Sequence, residues 1–360
     1  MTISSTLPRW AILTPLACCL ILAGSLLAPG AWYALLLTIA LFAGVLTAVY
    51  HAEVVAHKIG EPFGTLLLAL AVTLIEVALI VSLMLAGGEV TAALARDTVF
   101  AAIMVILTGI IGLCLLVGGL HHREQSFGLQ GASTSLATLA ALSVLTLVLP
   151  NFTSTVAGPF YSPSQLGFIA IVSLVLYGTF VMVQTIRHRD YFLPASDTAN
   201  ENAHAPKPSA GVAWASTALL LVCLTSVVLL AKSLAPALEA AVSAAGAPKA
   251  LVGIIIAIIV LLPEGLAALT AARANRLQTS INLALGSALA SIGLTIPVVA
   301  VISLVTGWQL SLGIDAKSTV LLLLSLIVTN LSLGTGRTTI MQGTIHLVLF
   351  VVYLFTTIVP

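Results

Sequence analysis

Charge is what this chain has least of. Thirteen Lys and Arg and twelve Asp and Glu in 360 residues, 7% of the total, are too few to wet the surface of a soluble domain. A net charge of +1 also leaves no basic patch able to displace counterions from a phosphate backbone, which excludes nucleic acid as a partner. Cysteine is scarce too. Cys18, Cys19, Cys114 and Cys223 lie in apolar runs without metal-ligand spacing, and they read as small core residues. No H-E-x-x-H and no G-x-x-x-x-G-K-[ST] occurs, and Gly334-Thr335-Gly336 lacks the third glycine and the strand of a nucleotide loop, so enzyme chemistry and a cofactor are not expected.

What is present is hydrocarbon: 60% hydrophobic residues and a mean hydropathy of +1.18. Apolar segments run over 10–28, 31–50, 62–86, 97–120, 131–150, 164–187, 211–231, 248–272, 279–306, 318–334 and 338–358. Arg9 before the first run resembles the start of a signal peptide, but no small-residue cleavage site follows, so residues 1–30 are read as a retained helix. The hydrophilic segment 188–210, with Asp190, Pro194, Asp197, Glu201, Pro206, Lys207 and Pro208, is a linker.

That linker divides the remainder into two sets of five, residues 31–187 and 211–360. Matching helices begin 174 to 182 residues apart. Five is odd, so the second set enters the membrane from the opposite side, which is the inverted-repeat plan of secondary transporters. The expected fold is therefore an all-α polytopic membrane protein of about 11 transmembrane helices, one extra N-terminal helix plus two inverted five-helix repeats. Nine Lys and Arg fall on the side of the N-terminus and linker and four on the other, which places the former in the cytoplasm and the C-terminus outside.

Glu76 and Glu264 stand alone, with no other charge between Pro62 and Ala86 or between Ala250 and Ala272. They are 188 residues apart, each in the second helix of its set, and an ionised group at that depth costs about 2.5 to 3.5 kcal/mol or more. Such a carboxyl holds a proton or needs a cation beside it, and two that converge at the midplane form a cation/proton site. A structural hydrogen bond between helices is the alternative.

Other polar groups are weighed against packing. Pro263 frees a carbonyl one turn before it, a candidate cation ligand or a simple kink. Ser287, Ser291 and Thr295 recur every fourth residue and either face ions or let helices pack closely; Thr73, a turn before Glu76, is read the same way. His346, with Gln342 a turn earlier, either relays protons or packs as a neutral hydrogen-bonded ring. The segment His51, Glu53, His57, Lys58, Glu61 has metal-binding residue types but reads as a solvated interfacial helix, and His121 and His122 as interfacial caps.

Ala-Val-Thr-Leu-Ile-Glu76-Val, Leu-Leu-Pro-Glu264-Gly-Leu, Ala284-Leu-Gly-Ser-Ala-Leu289 and His51-Ala-Glu-Val-Val-Ala-His-Lys-Ile-Gly-Glu-Pro-Phe-Gly64 resemble the Ca2+/cation antiporter superfamily. The last of these resembles its bacterial calcium (sodium, potassium)/proton branch in particular. The resemblance covers residues 31–360 and implies a cation/proton antiporter of the bacterial inner membrane. Its partners would be inorganic cations, protons and lipid, and its cation oxygens would come from Glu76 and Glu264. In that family's calcium exchangers a Gly-Asn precedes each glutamate; here those positions are Val72-Thr73 and Val260-Leu261, and a family glutamine is Ala290. The implied cargo is Ca2+, with Na+ or K+ as the alternative; a cation channel and a non-transporting scaffold are the readings from other classes.

Overall fold

The computed structural model describes residues 7–27, 32–60, 63–87, 91–193, 208–248 and 250–359. Among these it contains eleven helices: α1 (Arg9–Ser25), α2 (Tyr33–Ile59), α3 (Phe63–Gly87), α4 (Leu94–His122), α5 (Leu129–Phe152), α6 (Pro163–Arg187), α7 (Ala210–Ala244), α8 (Ala250–Arg273), α9 (Leu277–Thr306), α10 (Ala316–Leu333) and α11 (Ile340–Ile358). Nine are long and apolar enough to cross a membrane; α1, at 17 residues, and the apolar stretch Leu70–Leu85 of α3 are shorter. The expected spans are all here, with two corrections. Helix α2 continues past residue 50 to Ile59, and α7 past 231 to Ala244. A helix stops where its backbone bonds stop, not at its first charge: Lys232 lies exposed on α7, and α2 ends at Gly60, whose φ of 82° strains any side chain. Residues 194–207 of the expected linker lie outside the described residues.

The chain forms two compact units. In the first, α1, α2, most of α3 and α7, the first helices of the two repeats, α2 and α7, pack along each other, and α1 lies against both. Gly44 marks the close approach, since a Cβ there would stand 3.1 Å from Val227 Cγ2 and 3.3 Å from Cys18 Sγ. Pro15 has no N–H to give Ala11 O, and His51 Nε2 donates to that carbonyl at 2.9 Å instead. His51 is thus fully buried, not solvated, and it pins α1 to α2.

The second unit holds α4 to α6 and α9 to α11, with α8 from Gly253. Its packing is reciprocal. Helix α4 packs on α11 and α9 on α6, each pair joining the third helix of one repeat to the fifth of the other; α9 packs on α5 and α10 on α4, third against fourth. Two short pairings repeat the exchange. Strand β1 (Gln125–Ser126) follows the third helix of the first repeat and pairs antiparallel with β2 (Arg337–Thr338), which follows the fourth helix of the second. Phe160 follows the fourth helix of the first repeat and bridges Ser311, which follows the third helix of the second. Swapping the repeats turns one pairing into the other, as an inverted duplication requires. The fifth helices even begin alike, with capping boxes at Ser162/Gln165 and Thr339/Gln342. Gln342 is therefore committed to that cap, its Oε1 accepting from Thr339 N at 2.9 Å.

Candidate functional site

Glu76 sits on α3 in the first unit, 5% exposed, with Thr73 one turn earlier also buried. Val72 and Ile75 are buried alongside. Glu264 sits on α8 in the second unit, partly buried, and Pro263 before it is buried within an unbroken helix. Each carboxyl therefore occupies the second helix of its repeat.

Glu264's helix is seated on a distorted stretch of α4. Between Val105 and Ile110 that helix takes a π turn, in which Ile111 N–H bonds Ile106 O and not Leu107 O as an α-helix would. A Cβ on Gly265 would stand 3.3 Å from the Ile110 side chain, and Ala268 and Ala272 cluster with Cys114 one turn on. The carbonyl released by the π turn does not go unused: His346 Nδ1, from α11, lies 2.6 Å from Leu107 O. The His346 ring is fully buried, and its Nε2 has no hydrogen-bond partner among the described residues.

On α9 the polar stripe is real but uneven. Ser291 and Thr295 are fully buried and Ser287 only partly, and Thr295 Oγ1 has no hydrogen-bond partner among the described residues. The turn joining α8 to α9 is tied down by residues at and just after the end of α4. Gln125 Nε2 donates to Ala272 O at 2.9 Å and to Asn275 Oδ1 at 3.0 Å, while His122 Nε2 donates to Arg273 O at 2.8 Å. His122 is thus a cap, though of α8 and not of its own helix. Among the described residues no three His, Cys, Asp or Glu could share a metal ion, so the His51 to His57 stretch makes no metal cluster there; Glu61 lies outside them.

At the end of the second unit marked by Phe160 and Ser311, a cavity of about 380 Å³ is lined by Arg96, Asn151, Pro159, Ile314 and Asp315 among others. Arg96 ties the start of α4 across it, its Nη1 donating to Ser311 Oγ and Gly313 O at 3.0 Å each and its Nε to Asp97 at 2.8 Å. Nearby, Tyr161 donates to Leu145 O at 2.6 Å, a carbonyl released by a second π turn, Val144–Val148, in which Leu149 N–H bonds Val144 O. Neither the π turns nor these ties were visible in composition or periodicity.

Residues 29–186 and 215–359 match the sodium/calcium exchanger protein family. The chain is 49% identical over 361 residues, 99% of itself and 98% of the relative, to y4hA of Sinorhizobium fredii, a provisionally assigned ionic transporter. It is 36% identical over 324 residues, 89% of itself and 87% of the relative, to the sodium-potassium/proton antiporter ChaA of Escherichia coli. Its fold is that of native YfkE, with a TM-score of 0.71 over 98% of this chain and 100% of that one at 19% identity, and of the H+/Ca2+ exchanger CAX, with 0.69 over 96% and 89% at 18%. With both repeats matched along most of their length, the chain belongs to the sodium/calcium exchanger family, in the bacterial branch of the Ca2+/cation antiporter superfamily.

Proposed function

We propose that the chain is a secondary active transporter that exports a cation in exchange for protons, Glu76 and Glu264 binding each in turn as the two repeats expose them to either side. One observation carries this reading: an exchanger-family chain with a lone carboxyl in the second helix of each of two inverted repeats. Protons and cation compete for the same oxygens, so loading one unloads the other. In this reading Thr73 supplies a hydroxyl beside Glu76, Ser287 and Ser291 are further candidate hydroxyl ligands, and the carbonyl freed by Pro263 adds an oxygen beside Glu264. The N-terminus and the linker are cytoplasmic, and the C-terminus is external.

Charge favours Ca2+ as the cargo, because one divalent ion balances two carboxylates in a low-dielectric site and a monovalent ion does not unless one acid keeps its proton. The Na+/K+ reading has its own support. The ChaA relative named for sodium and potassium is 36% identical, while the Ca2+/H+ antiporter of Aphanothece halophytica is 23% identical. Val72, Val260, Leu261 and Ala290 also offer no side-chain oxygens to the six- to eight-ligand cage Ca2+ prefers. Purified protein in sealed vesicles decides, through dissipation of a proton gradient by Ca2+, Na+ or K+ across pH 7 to 9. Ca2+-evoked exchange that strengthens toward alkaline pH is expected. Exchange with Na+ or K+ and none with Ca2+ would make the cargo monovalent, and no cation-coupled proton movement would end the antiporter reading.

A further inference from the structure

Two fully buried histidines in this protein do the same job. Each gives one ring N–H to a helix carbonyl that a local break has released: His51 to Ala11 O beneath Pro15, and His346 to Leu107 O beside the π turn. Each then has a second ring nitrogen that is buried without a partner among the described residues. For His51 the position is peripheral, holding α1 to α2. For His346 it is not. The π turn that receives the His346 ring is the one on which α8 is seated through Gly265, the residue after Glu264.

We propose that Nε2 of His346 is a proton-binding site of the exchange cycle, additional to the carboxyls of Glu76 and Glu264. The proposal rests on the cation/proton exchange argued above. A neutral imidazole has one N–H and one lone pair, and the bond to Leu107 O requires the N–H at Nδ1. The lone pair is therefore at Nε2, enclosed in protein. The bond to Leu107 O accounts for the Nδ1 side of the ring, and it leaves the buried lone pair at Nε2 without a structural use among the described residues.

The step involves no change of covalent partners beyond the proton itself. A proton adds to the Nε2 lone pair, the resulting imidazolium still donates Nδ1–H to Leu107 O, and loss of the same proton from Nε2 restores the neutral ring. The elements packed on α11 hold no fixed charge in mid-length. Helix α4 carries only Cys114 between Asp97 and His121, and α10 only Lys317 at its start. Helix α11 itself carries only Tyr353 as a titratable side chain besides His346. With no fixed counter-ion in mid-span, burial disfavours a standing imidazolium, so the ring would hold its proton only transiently within the cycle.

Two isosteric changes separate the two nitrogens. His346→Asn puts an amide N–H where Nδ1 was and has nothing at Nε2, whereas His346→Gln reaches the Nε2 position and forfeits the bond to Leu107 O. In sealed vesicles, His346→Asn is expected to melt at the wild-type temperature and still exchange, with one ionisation missing from its pH–rate profile. Independently, ¹⁵N-histidine spectra of the full-length wild-type protein are expected to contain one unprotonated, pyridine-like Nε2 that protonates within the pH range of exchange and is absent from His346→Asn. If His346→Asn keeps the wild-type pH profile, or that nitrogen never protonates while exchange runs, the proposal is overturned and His346 is a packing residue. Wild-type vesicles showing no exchange would instead defeat the antiporter reading beneath it.

Discussion

A carboxyl that carries a proton one way and a cation the other must be able to lose its proton, and glutamine cannot. Glu76→Gln and Glu264→Gln are each expected to abolish exchange in vesicles while the protein elutes and melts as wild type, because the amide copies the protonated acid in shape and polarity. Full antiport by either variant would remove that residue from the site. Tyr161 is a structural contrast. Its hydroxyl donates to Leu145 O, and burial pushes the phenol up to about 12 from an ordinary 10. A raised folded-state value means the contribution is complete below pH 10 and disappears as pH climbs toward 12. Tyr161→Phe leaves the carbonyl unpartnered and should cost about 1 to 3 kcal/mol of stability. Its melting deficit relative to wild type should be constant up to pH 9 and shrink above pH 10, where the unfolded tyrosine ionises while the folded one stays protonated; a deficit unchanged to pH 12 would show that the folded hydroxyl is not held above its ordinary value. Both glutamates were legible in the sequence because each is the only charge in its span. His51 was misread because Glu53, His57 and Lys58 made its surroundings look wet, although its helical spacing with buried Thr47 and Val54 carried the correct signal.

At the scale of elements, the α4–α11 contact positions His346, and it is built on glycines. A Cβ on Gly112 would stand 2.9 Å from His346 Cβ and 3.1 Å from Leu347 N, and one on Gly119 would stand 2.7 Å from Ile340 N. A Cβ on Gly343 would collide with Leu116 N and stand 2.6 Å from Leu116 Cα. Such close approach is how membrane helices gain dispersion contact without a hydrophobic drive between them. Leu116's backbone cannot swing aside as a side-chain tip can, so Gly343→Ala must push the two helices apart. We expect it to lower stability by about 1 to 3 kcal/mol or more and to weaken exchange. Gly178→Ala, on α6, where a Cβ would meet nothing within 4 Å, is the control and should melt as wild type. Equal melting of both variants would show that the glycine contact is not tight. Sequence made these helices visible, since each is a long apolar run. The paired capping boxes that open α6 and α11 were readable too, as Ser-x-x-Gln and Thr-x-x-Gln before apolar runs. The π turns were not, because widening a turn by one residue leaves no mark on hydropathy, and with them the two released carbonyls and their partners His346 and Tyr161 stayed hidden.

For the whole molecule, the repeat was legible as spacing, and the reciprocal pairings of the second unit, β1 with β2 and Phe160 with Ser311, give it physical form. Direction of transport depends on which end of the chain's helices faces the cytoplasm. In the second unit the loops at the β1–β2 end carry Arg123, Arg187, Arg189, Arg273, Arg276 and Arg337 against Glu124 and Asp190, whereas at the opposite end Arg96 and Lys317 are matched by Asp97 and Asp315. Arginine in short loops resists translocation, so the β1–β2 end is expected in the cytoplasm together with residues 188–210. In a background free of the four native cysteines, Glu201→Cys should react with an impermeant maleimide only after cells are permeabilised, whereas Gln309→Cys, in the loop before Ser311, should react in intact cells. The reverse pattern would invert the topology, and an antiporter driven by inward proton flow would then have to load its cation from the opposite side of the membrane.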